Sequence, residues 1–158
     1  GVVTEATVRL IAKPAGQRPV LFGFPSSETA SACVSDIIAA GIIPVAIEFM
    51  DKPAIDICEA FAHAGYPLDA EALLIVEVEG TPAEMEAMLE RIVAIARRHA
   101  VMTVRESQSA QEAALIWKGR KSAFGATGRI ADYICMDGTV PLSQLTRVLA
   151  ETARIVAG

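Results

Sequence analysis

The sequence predicts an α+β fold, a ferredoxin-like split βαβ sandwich in which helices cover an antiparallel sheet, with extra helices at the C-terminal end. Two patterns predict it. Stretches rich in β-branched and aliphatic residues alternate with helical stretches, in the order β-α-β twice along the chain. Most helical stretches begin at a capping residue, and several end at a glycine or a proline. A chain of 158 residues is long enough for one core.

The first β-α-β unit occupies the first third of the chain. "VVTEATVRLIAK" predicts a strand because it is rich in β-branched residues and partly alternating, and "RPVLFGFP" predicts a second strand. Ser26 or Ser27 caps a helix that runs to about Ala40, and "IIPVAIEFMD" predicts the strand that follows. Asp51 and Pro53 then begin a short helix, "KPAIDICEAFAHAG".

The second unit repeats this order. "EALLIVEVEG" and "VMTVRES" predict strands on either side of a helix that begins at a capping box of Thr81 and Glu84, with Pro82 at its first position. Apolar residues recur along this helix at the spacing of one face, which predicts that it lies on the sheet. They are Met85, Met88, Leu89, Ile92, Val93 and Ala96.

The remaining residues predict additional elements. Ser109 and Glu112 form a second capping box, which opens a helix through "AALIWKGRKSAF" into a turn marked by glycines. "DYICMDGTV" predicts a further strand, and "PLSQLTRVLAETARIV" predicts a final helix with Pro141 at its start.

Composition limits the classes of partner. The chain has 19 acidic and 14 basic residues, a net charge of −5, which disfavours nucleic acid and anionic membranes as partners. No apolar stretch approaches the length of a membrane-spanning helix. The three cysteines, Cys33, Cys58 and Cys135, are odd in number and far apart, so we expect small buried side chains and a cytoplasmic location rather than disulfides or zinc.

Positive charge is concentrated in "IWKGRKSAFGATGR". On a helical wheel Trp117 and Phe124 lie about 20° apart, with Arg120 and Lys121 on either side of them. An arginine beside apolar surface suits a carboxylate in two-point contact, so one interpretation is an anion site. The alternative is that the stems of these cations pack on the aromatic rings while their heads reach solvent or pair with a nearby glutamate.

Other candidate residues have structural explanations. Glu48 and Asp51 could form a catalytic carboxylate pair, but the sequence favours Asp51 as a helix cap and Glu48 as the partner of a cation. His63 and His99 each stand alone near a helix end, where a structural role is expected. Motifs for a phosphate-binding loop or a nucleophile elbow are not present.

Four stretches, "GVVTEATVRLIAKP", "AAGIIPVAIEFMD", "IWKGRKSAFGATGR" and "MDGTVPLSQL", together resemble the C-terminal part of FAD-linked 2-hydroxyacid oxidases and dehydrogenases. This family includes the glycolate oxidase flavin subunit, D-lactate dehydrogenase and D-2-hydroxyglutarate dehydrogenase. The resemblance implies that residues 1–158 are a single substrate (cap) domain, cut from a longer flavoenzyme and inactive alone. Residues 1–13 would be the last strand of a preceding FAD-binding domain, or the link from it.

The resemblance also implies cofactors and partners. FAD would belong to the full-length enzyme and not to this fragment, with Gly1, Val2, Val3 and Thr4 close to the flavin. A divalent metal, where the enzyme has one, would be bound by a segment downstream of this chain. The expected partners are a small 2-hydroxy acid, the FAD-binding domain and other oxidase subunits.

Arg120 matches the family arginine that binds the substrate carboxylate, and Lys121 is a supporting candidate. Positions that bind a second carboxylate in the 2-hydroxyglutarate branch are Phe124 and Cys135 here. The resemblance therefore implies oxidation of a glycolate- or D-lactate-type acid to the 2-oxo acid by hydride transfer to flavin. No catalytic base is placed. The rival hypotheses are a free-standing ferredoxin-like module that senses a small ligand and a domain that only docks other proteins.

Overall fold

The computed structural model describes residues 1–10 and 12–157. Four strands and six α-helices follow one another in the described ranges, with one turn of 3₁₀ helix at Leu142–Gln144. The strands are β1 (Gly16–Phe24), β2 (Ala46–Asp51), β3 (Ala72–Gly80) and β4 (Thr103–Glu106). The helices are α1 (Ser27–Ala39), α2 (Lys52–Ala62), α3 (Pro82–Arg98), α4 (Ala110–Lys121), α5 (Ala123–Gly128) and α6 (Leu145–Ala157).

The four strands form one sheet in the order β2-β3-β1-β4, and each neighbouring pair is antiparallel. β1 and β2 are therefore parallel to each other, with β3 between them, and β3 and β4 are parallel with β1 between them. This interleaving of two β-α-β units is the split βαβ arrangement. The predicted ferredoxin-like fold class is confirmed.

One face of the sheet packs against α1 and α3. Alternate residues of β1 and β3, among them Phe22, Phe24 and Leu74, meet Ile37 of α1 and Ile92 of α3 in a fully buried cluster. Successive strand residues point to opposite faces, so only every second residue belongs to this cluster. The apolar stripe predicted for α3 faces this cluster as expected, with Met88 at its partly buried margin.

The opposite face is covered as well. Leu21, Leu73 and Ile75 point to this side and pack against Ile55 of α2 and Ile116 of α4 in a second buried cluster. Burial on both faces explains why β1 and β3 read as continuous apolar runs. The sandwich therefore has three layers, and α4, which carries Arg120, belongs to the outer layer on this second face.

Helix caps account for where the first helices begin. Ser26, and not Ser27, caps α1, because its Oγ accepts from the N–H of Thr29 at 3.2 Å. Asp51 caps α2 in the same way through Ala54, as predicted. The Thr81–Glu84 capping box of α3 is complete.

The second predicted capping box, at α4, is only half formed. Ser109 Oγ accepts from the N–H of Glu112, but the Glu112 carboxylate accepts from the N–H of Gln108 instead of Ser109. The serine therefore caps α4 as predicted, while the return bond goes to the preceding residue.

Four predictions about local structure are wrong. Residues 1–10 and 12–13 form no strand and are exposed, while Ile11 lies outside the described residues. Residues 132–140 also form no strand. The predicted helix through Phe124 is interrupted at Ser122, and the glycine-marked turn after it is the short helix α5. Cys135 is exposed, although Cys33 and Cys58 are buried as expected.

Candidate functional site

Two acidic side chains of the sheet contact the last turns of α4. Glu48 of β2 pairs with Ile75 of β3, and alternate residues of a strand share a face, so Glu48 and Glu77 both point toward α4. Trp117 Nε1 donates to Glu77 Oε1 at 2.9 Å. One turn later, Arg120 binds Glu48. The last turns of α4 are thus fixed to the sheet by two contacts between residues far apart in sequence.

The Arg120 guanidinium and the Glu48 carboxylate form a close ion pair. Arg120 Nε donates to Glu48 Oε2 at 3.0 Å, and Nη2 lies 3.0 Å from the same oxygen. The two side chains are 33% and 36% exposed, so the pair is sheltered but open to solvent on one side. The predicted alternative, a cation paired with a nearby glutamate, describes this geometry. Because Glu48 contacts one edge of the guanidinium, the group retains donors for a second anion.

Tyr66 and Gly119 fix the backbone beneath Arg120. Tyr66 is 4% exposed and its hydroxyl donates to the Ile116 carbonyl at 2.6 Å. A Cβ added at Gly119 would lie 2.4 Å from Tyr66 Oη and Cζ, so glycine is what allows the ring to approach the helix this closely. Burial raises the pKa of Tyr66 to about 12, which keeps the hydroxyl protonated as a donor.

Cys58 lies in the same buried cluster, on α2. Burial raises the pKa of its thiol, and a hydrogen bond with Ser122 together with the charge of Arg120 opposes that rise. A buried thiol with a raised pKa carries little thiolate and is a poor nucleophile. Cys58 is therefore part of the packing under the ion pair.

The predicted cluster of cations is only partly brought together. Lys121 Nζ lies 5.8 Å from the centre of the Trp117 ring, beside Arg120 in sequence but exposed. Phe124 does not share a stripe with Trp117, because the helix breaks at Ser122, and it stacks on Tyr133 at 6.2 Å.

Arg129 lies further along the chain, 5.1 Å above the Phe61 ring. It lines a separate cleft of about 520 Å³ between α2 and α5. A second cleft, of about 540 Å³, lies between the N-terminal ends of α1 and α2 and the side of α6. Arg120 and residues 1–4 line neither cleft.

The remaining candidates have the structural roles that the sequence favoured. Asp51 is the cap of α2. His63 ends α2 in the left-handed conformation, and His99 ends α3 with its Nε2 2.9 Å from Asp36 Oδ2. Gly1, Val2, Val3 and Thr4 are exposed and form no regular element, so a role for them beside flavin stays a prediction.

The described residues offer neither a metal-binding cluster nor a membrane-spanning helix. They contain no group of three or more His, Cys, Asp or Glu side chains that could hold a metal ion. Within the same ranges, no helix is both long enough and apolar enough to cross a bilayer.

Sequence reasoning missed three of the residues that build this site: Glu77, Tyr66 and Gly119. Each acts through a partner between 40 and 53 positions away, and such a contact leaves no local periodicity. The glycine at 119, inside a stretch with helical character, was the one available signal, since a glycine in a helix costs stability unless it serves close packing.

Three known proteins are similar to this chain in sequence. The chain is 46% identical to the glycolate oxidase subunit GlcD of Escherichia coli (strain K12) over 98% of its length. It is 35% identical to GlcD of Bacillus subtilis and 26% identical to a probable mitochondrial D-lactate dehydrogenase of Danio rerio, over 99% and 96% of its length. It covers 31%, 34% and 31% of these three proteins, so it spans about a third of the relatives it matches.

A solved structure has the same fold. An alkyldihydroxyacetonephosphate synthase superimposes on 90% of the chain with a TM-score of 0.67 at 14% identity, and 31% of that protein is covered.

The sequence pattern of a known family matches most of the chain. Residues 13–158 match the family that is described as "FAD linked oxidases, C-terminal domain". The chain therefore belongs to the FAD-linked oxidase family and corresponds to its C-terminal domain.

Proposed function

We propose that this chain is the substrate-binding domain of an FAD-dependent oxidoreductase that oxidises a small 2-hydroxy acid, of the glycolate or D-lactate type, to the 2-oxo acid. The observation that carries the proposal is the partly exposed guanidinium of Arg120, held in place by Glu48 at the end of α4. The names of the relatives, glycolate oxidase subunit and D-lactate dehydrogenase, support the class of substrate.

In this proposal the rest of the full-length protein would supply FAD, which would accept the hydride from the 2-hydroxy carbon, while a base that is not assigned to this chain would take the hydroxyl proton. Arg120 binds the substrate carboxylate and sets the direction in which the C–H bond points. Holding a reactant in a reactive orientation contributes up to several kcal/mol to lowering a barrier. The isolated chain binds no flavin in this proposal and has no turnover.

The side chains at positions 124 and 135 favour a small substrate with one carboxylate. We assign Lys121 a supporting role in binding the same carboxylate. Its Nζ lies 5.8 Å from the centre of the Trp117 ring. Phe124 and Cys135, where the 2-hydroxyglutarate branch binds a second carboxylate, carry no charge for one. The same proposal has four further parts. Gly1–Thr4 contact the flavin, and any divalent metal is bound by a segment downstream of this chain. Other oxidase subunits are partners, and the location is cytoplasmic.

The test replaces Arg120 in the complete flavoenzyme. Arg120→Lys keeps the positive charge but loses the planar fork, and Arg120→Ala loses both. We expect kcat/KM for glycolate or D-lactate to fall by roughly 10²-fold or more in Arg120→Ala, with Arg120→Lys closer to the alanine variant than to wild type. Steady-state kinetics with flavin occupancy measured for each protein would show this.

Lys118→Gln is the matched control, since it removes an exposed cation from the same helical turn. We expect kcat/KM to change less than about twofold in this control, because an exposed charge acts through solvent. Unaltered kinetics in Arg120→Ala would contradict the proposal and favour a domain that only docks proteins. Tight binding of a small acid by the isolated chain without flavin, measured by calorimetry, would favour the ligand-sensing module instead.

A further inference from the structure

We propose that Glu48 is a positioning residue for the substrate: it holds one edge of the Arg120 guanidinium so that the other edge faces the substrate carboxylate. This inference rests on the proposed function of Arg120. It assigns to Glu48 a part in substrate binding although the residue carries the same charge as the substrate.

The geometry of the ion pair shows which edge is occupied. A guanidinium has a side edge, formed by Nε–H and one N–H of Nη2, and an end edge, formed by the other N–H of Nη2 and one of Nη1. Glu48 Oε2 lies 3.0 Å from both Nε and Nη2, so it occupies the side edge. Nη1 forms no hydrogen bond within residues 1–10 and 12–157. Two parallel N–H groups of the end edge are therefore available, which is the arrangement that a carboxylate binds in two-point contact.

Both members of the pair are held from elsewhere in the fold. Glu48 lies in β2, paired with Ile75 of β3, so its backbone is part of the sheet. Arg120 ends α4, whose backbone is fixed by the Tyr66 hydroxyl and by the close approach of the Tyr66 ring to Gly119. A long arginine side chain has many rotamers, and a partner on a fixed strand restricts it to the few that keep this contact. The end edge then has one direction before a substrate arrives.

The two possible roles of Glu48, competing with the substrate and positioning the guanidinium, predict opposite changes in substrate binding. If Glu48 only competed with the substrate for Arg120, removing its negative charge would strengthen the binding of an anion. If Glu48 positions the guanidinium, removing it would leave the charge of Arg120 in place but let its fork turn away. The direction of the kinetic change therefore distinguishes the two roles.

The experiment is a double-mutant cycle in the complete flavoenzyme. We expect Glu48→Ala to lower kcat/KM for the 2-hydroxy acid by about ten- to a hundredfold, because misplacement of a positioning group costs this much. Glu48→Gln should lose less, since its amide oxygen still accepts a hydrogen bond from Nε. In an Arg120→Ala background, Glu48→Ala should cause no further loss, because Glu48 acts through Arg120.

Glu86→Gln is the matched control. Glu86 of α3 also pairs with an arginine, Arg18 Nη1 at 3.0 Å, but α3 covers the opposite face of the sheet from α4. We expect this variant to leave kcat/KM within about twofold of wild type, since an exposed ion pair outside the candidate site contributes little. Melting temperature and flavin content of each variant separate a loss of folding from a loss of positioning. Should Glu48→Ala fail to fold, Glu48→Gln in both backgrounds carries the same test.

Two results would overturn the inference: a gain or no change in kcat/KM when Glu48 is replaced, or an equal loss from that replacement with and without Arg120. Either of these, combined with a large loss in Arg120→Ala, would leave the proposed function intact. Unaltered kinetics in Arg120→Ala would instead remove the proposed function itself, together with the role of Glu48.

Discussion

Gly119 determines how closely α4 approaches Tyr66, which lies in the segment between α2 and β3. The hydroxyl oxygen and Cζ of Tyr66 lie 2.4 Å from the point where a Cβ would stand, closer than any ordinary carbon contact. The ring cannot easily withdraw, because it is buried and its hydroxyl is bonded to the Ile116 carbonyl. Arg120, the next residue, depends on this approach for its distance to Glu48.

We expect Gly119→Ala to destabilise the chain by about 1–2 kcal/mol. Overpacking a buried contact costs about 1–3 kcal/mol, and the better helix propensity of alanine returns up to about 1 kcal/mol. Urea unfolding followed by circular dichroism would measure the change. Gly125→Ala in α5 is the control, since the nearest atom to its Cβ is Phe61 Cζ at 3.8 Å. It is expected to be neutral or stabilising, and a loss of stability equal to that of Gly119→Ala would contradict this account.

The side chains of the candidate site were predictable to different degrees. Arg120 could be singled out because its motif is local, and Glu48 could be assigned a cationic partner because an acidic residue on a largely apolar strand needs one. Which cation it meets could not be predicted, since 72 residues separate Glu48 from Arg120. The roles of Glu77 and Tyr66 were missed for the same reason. Contacts of this kind depend on how helices cross the sheet, which no local pattern encodes.

Helices were predicted more reliably than strands because their signals are local. The capping serine, threonine or aspartate that begins a helix and the stripe that it buries lie within a few residues of each other. A strand needs a neighbour to accept and donate its backbone hydrogen bonds. Residues 1–10 and 132–140 have β-like composition, but no strand of the described sheet pairs with them, so the structure leaves them irregular.

The pair of serines before α1 gives a direct test of capping. Ser26 Oγ accepts from the Thr29 N–H, whereas Ser27 is the first residue of the helix. We expect Ser26→Ala to lower the free energy of unfolding by about 1 kcal/mol, because one N–H of the first turn loses its partner. Ser27→Ala should change it by less than about 0.5 kcal/mol. Chemical denaturation of both variants would measure this, and equal losses would show that Ser26 is not the cap.

Helices on both faces give the sheet two separate cores, and the remaining apolar surface lies outside them. Ile134 and Met136 are 89% and 90% exposed, and Ile155 and Val156 on α6 are also exposed. Exposed apolar residues in such numbers are common at surfaces that contact another domain. Since the relatives are about three times as long as this chain, the exposure supports the proposal that further parts of a larger protein cover it.

The buried phenol of Tyr66, in the second core, makes the stability of the fold depend on pH above about 10. Its pKa is raised from 10.0 to about 12 by burial, so the folded chain keeps the phenol proton at a pH where the unfolded chain releases it. A raised pKa of an acid stabilises the folded state below the pKa of the unfolded chain. That stability is lost as pH rises from about 10 to about 12, with a slope of at most about 1.4 kcal/mol per pH unit.

Tyr66→Phe therefore has a predicted dependence on pH. At pH 7 it is expected to be less stable than wild type by about 1 kcal/mol, the net value of one buried hydrogen bond. Between pH 10 and 11.5 this difference should shrink or reverse, because phenylalanine has no proton to lose. Burial also raises the pKa of the Cys33 thiol to about 12, but this contribution is common to both proteins and cancels in the difference.

Urea unfolding at a series of pH values would measure the difference in free energy of unfolding between wild type and Tyr66→Phe. Tyr133→Phe, which removes an exposed hydroxyl, is the control. A stability difference that stays constant from pH 7 to 11.5 would show that the Tyr66 hydroxyl titrates alike in the folded and unfolded chain.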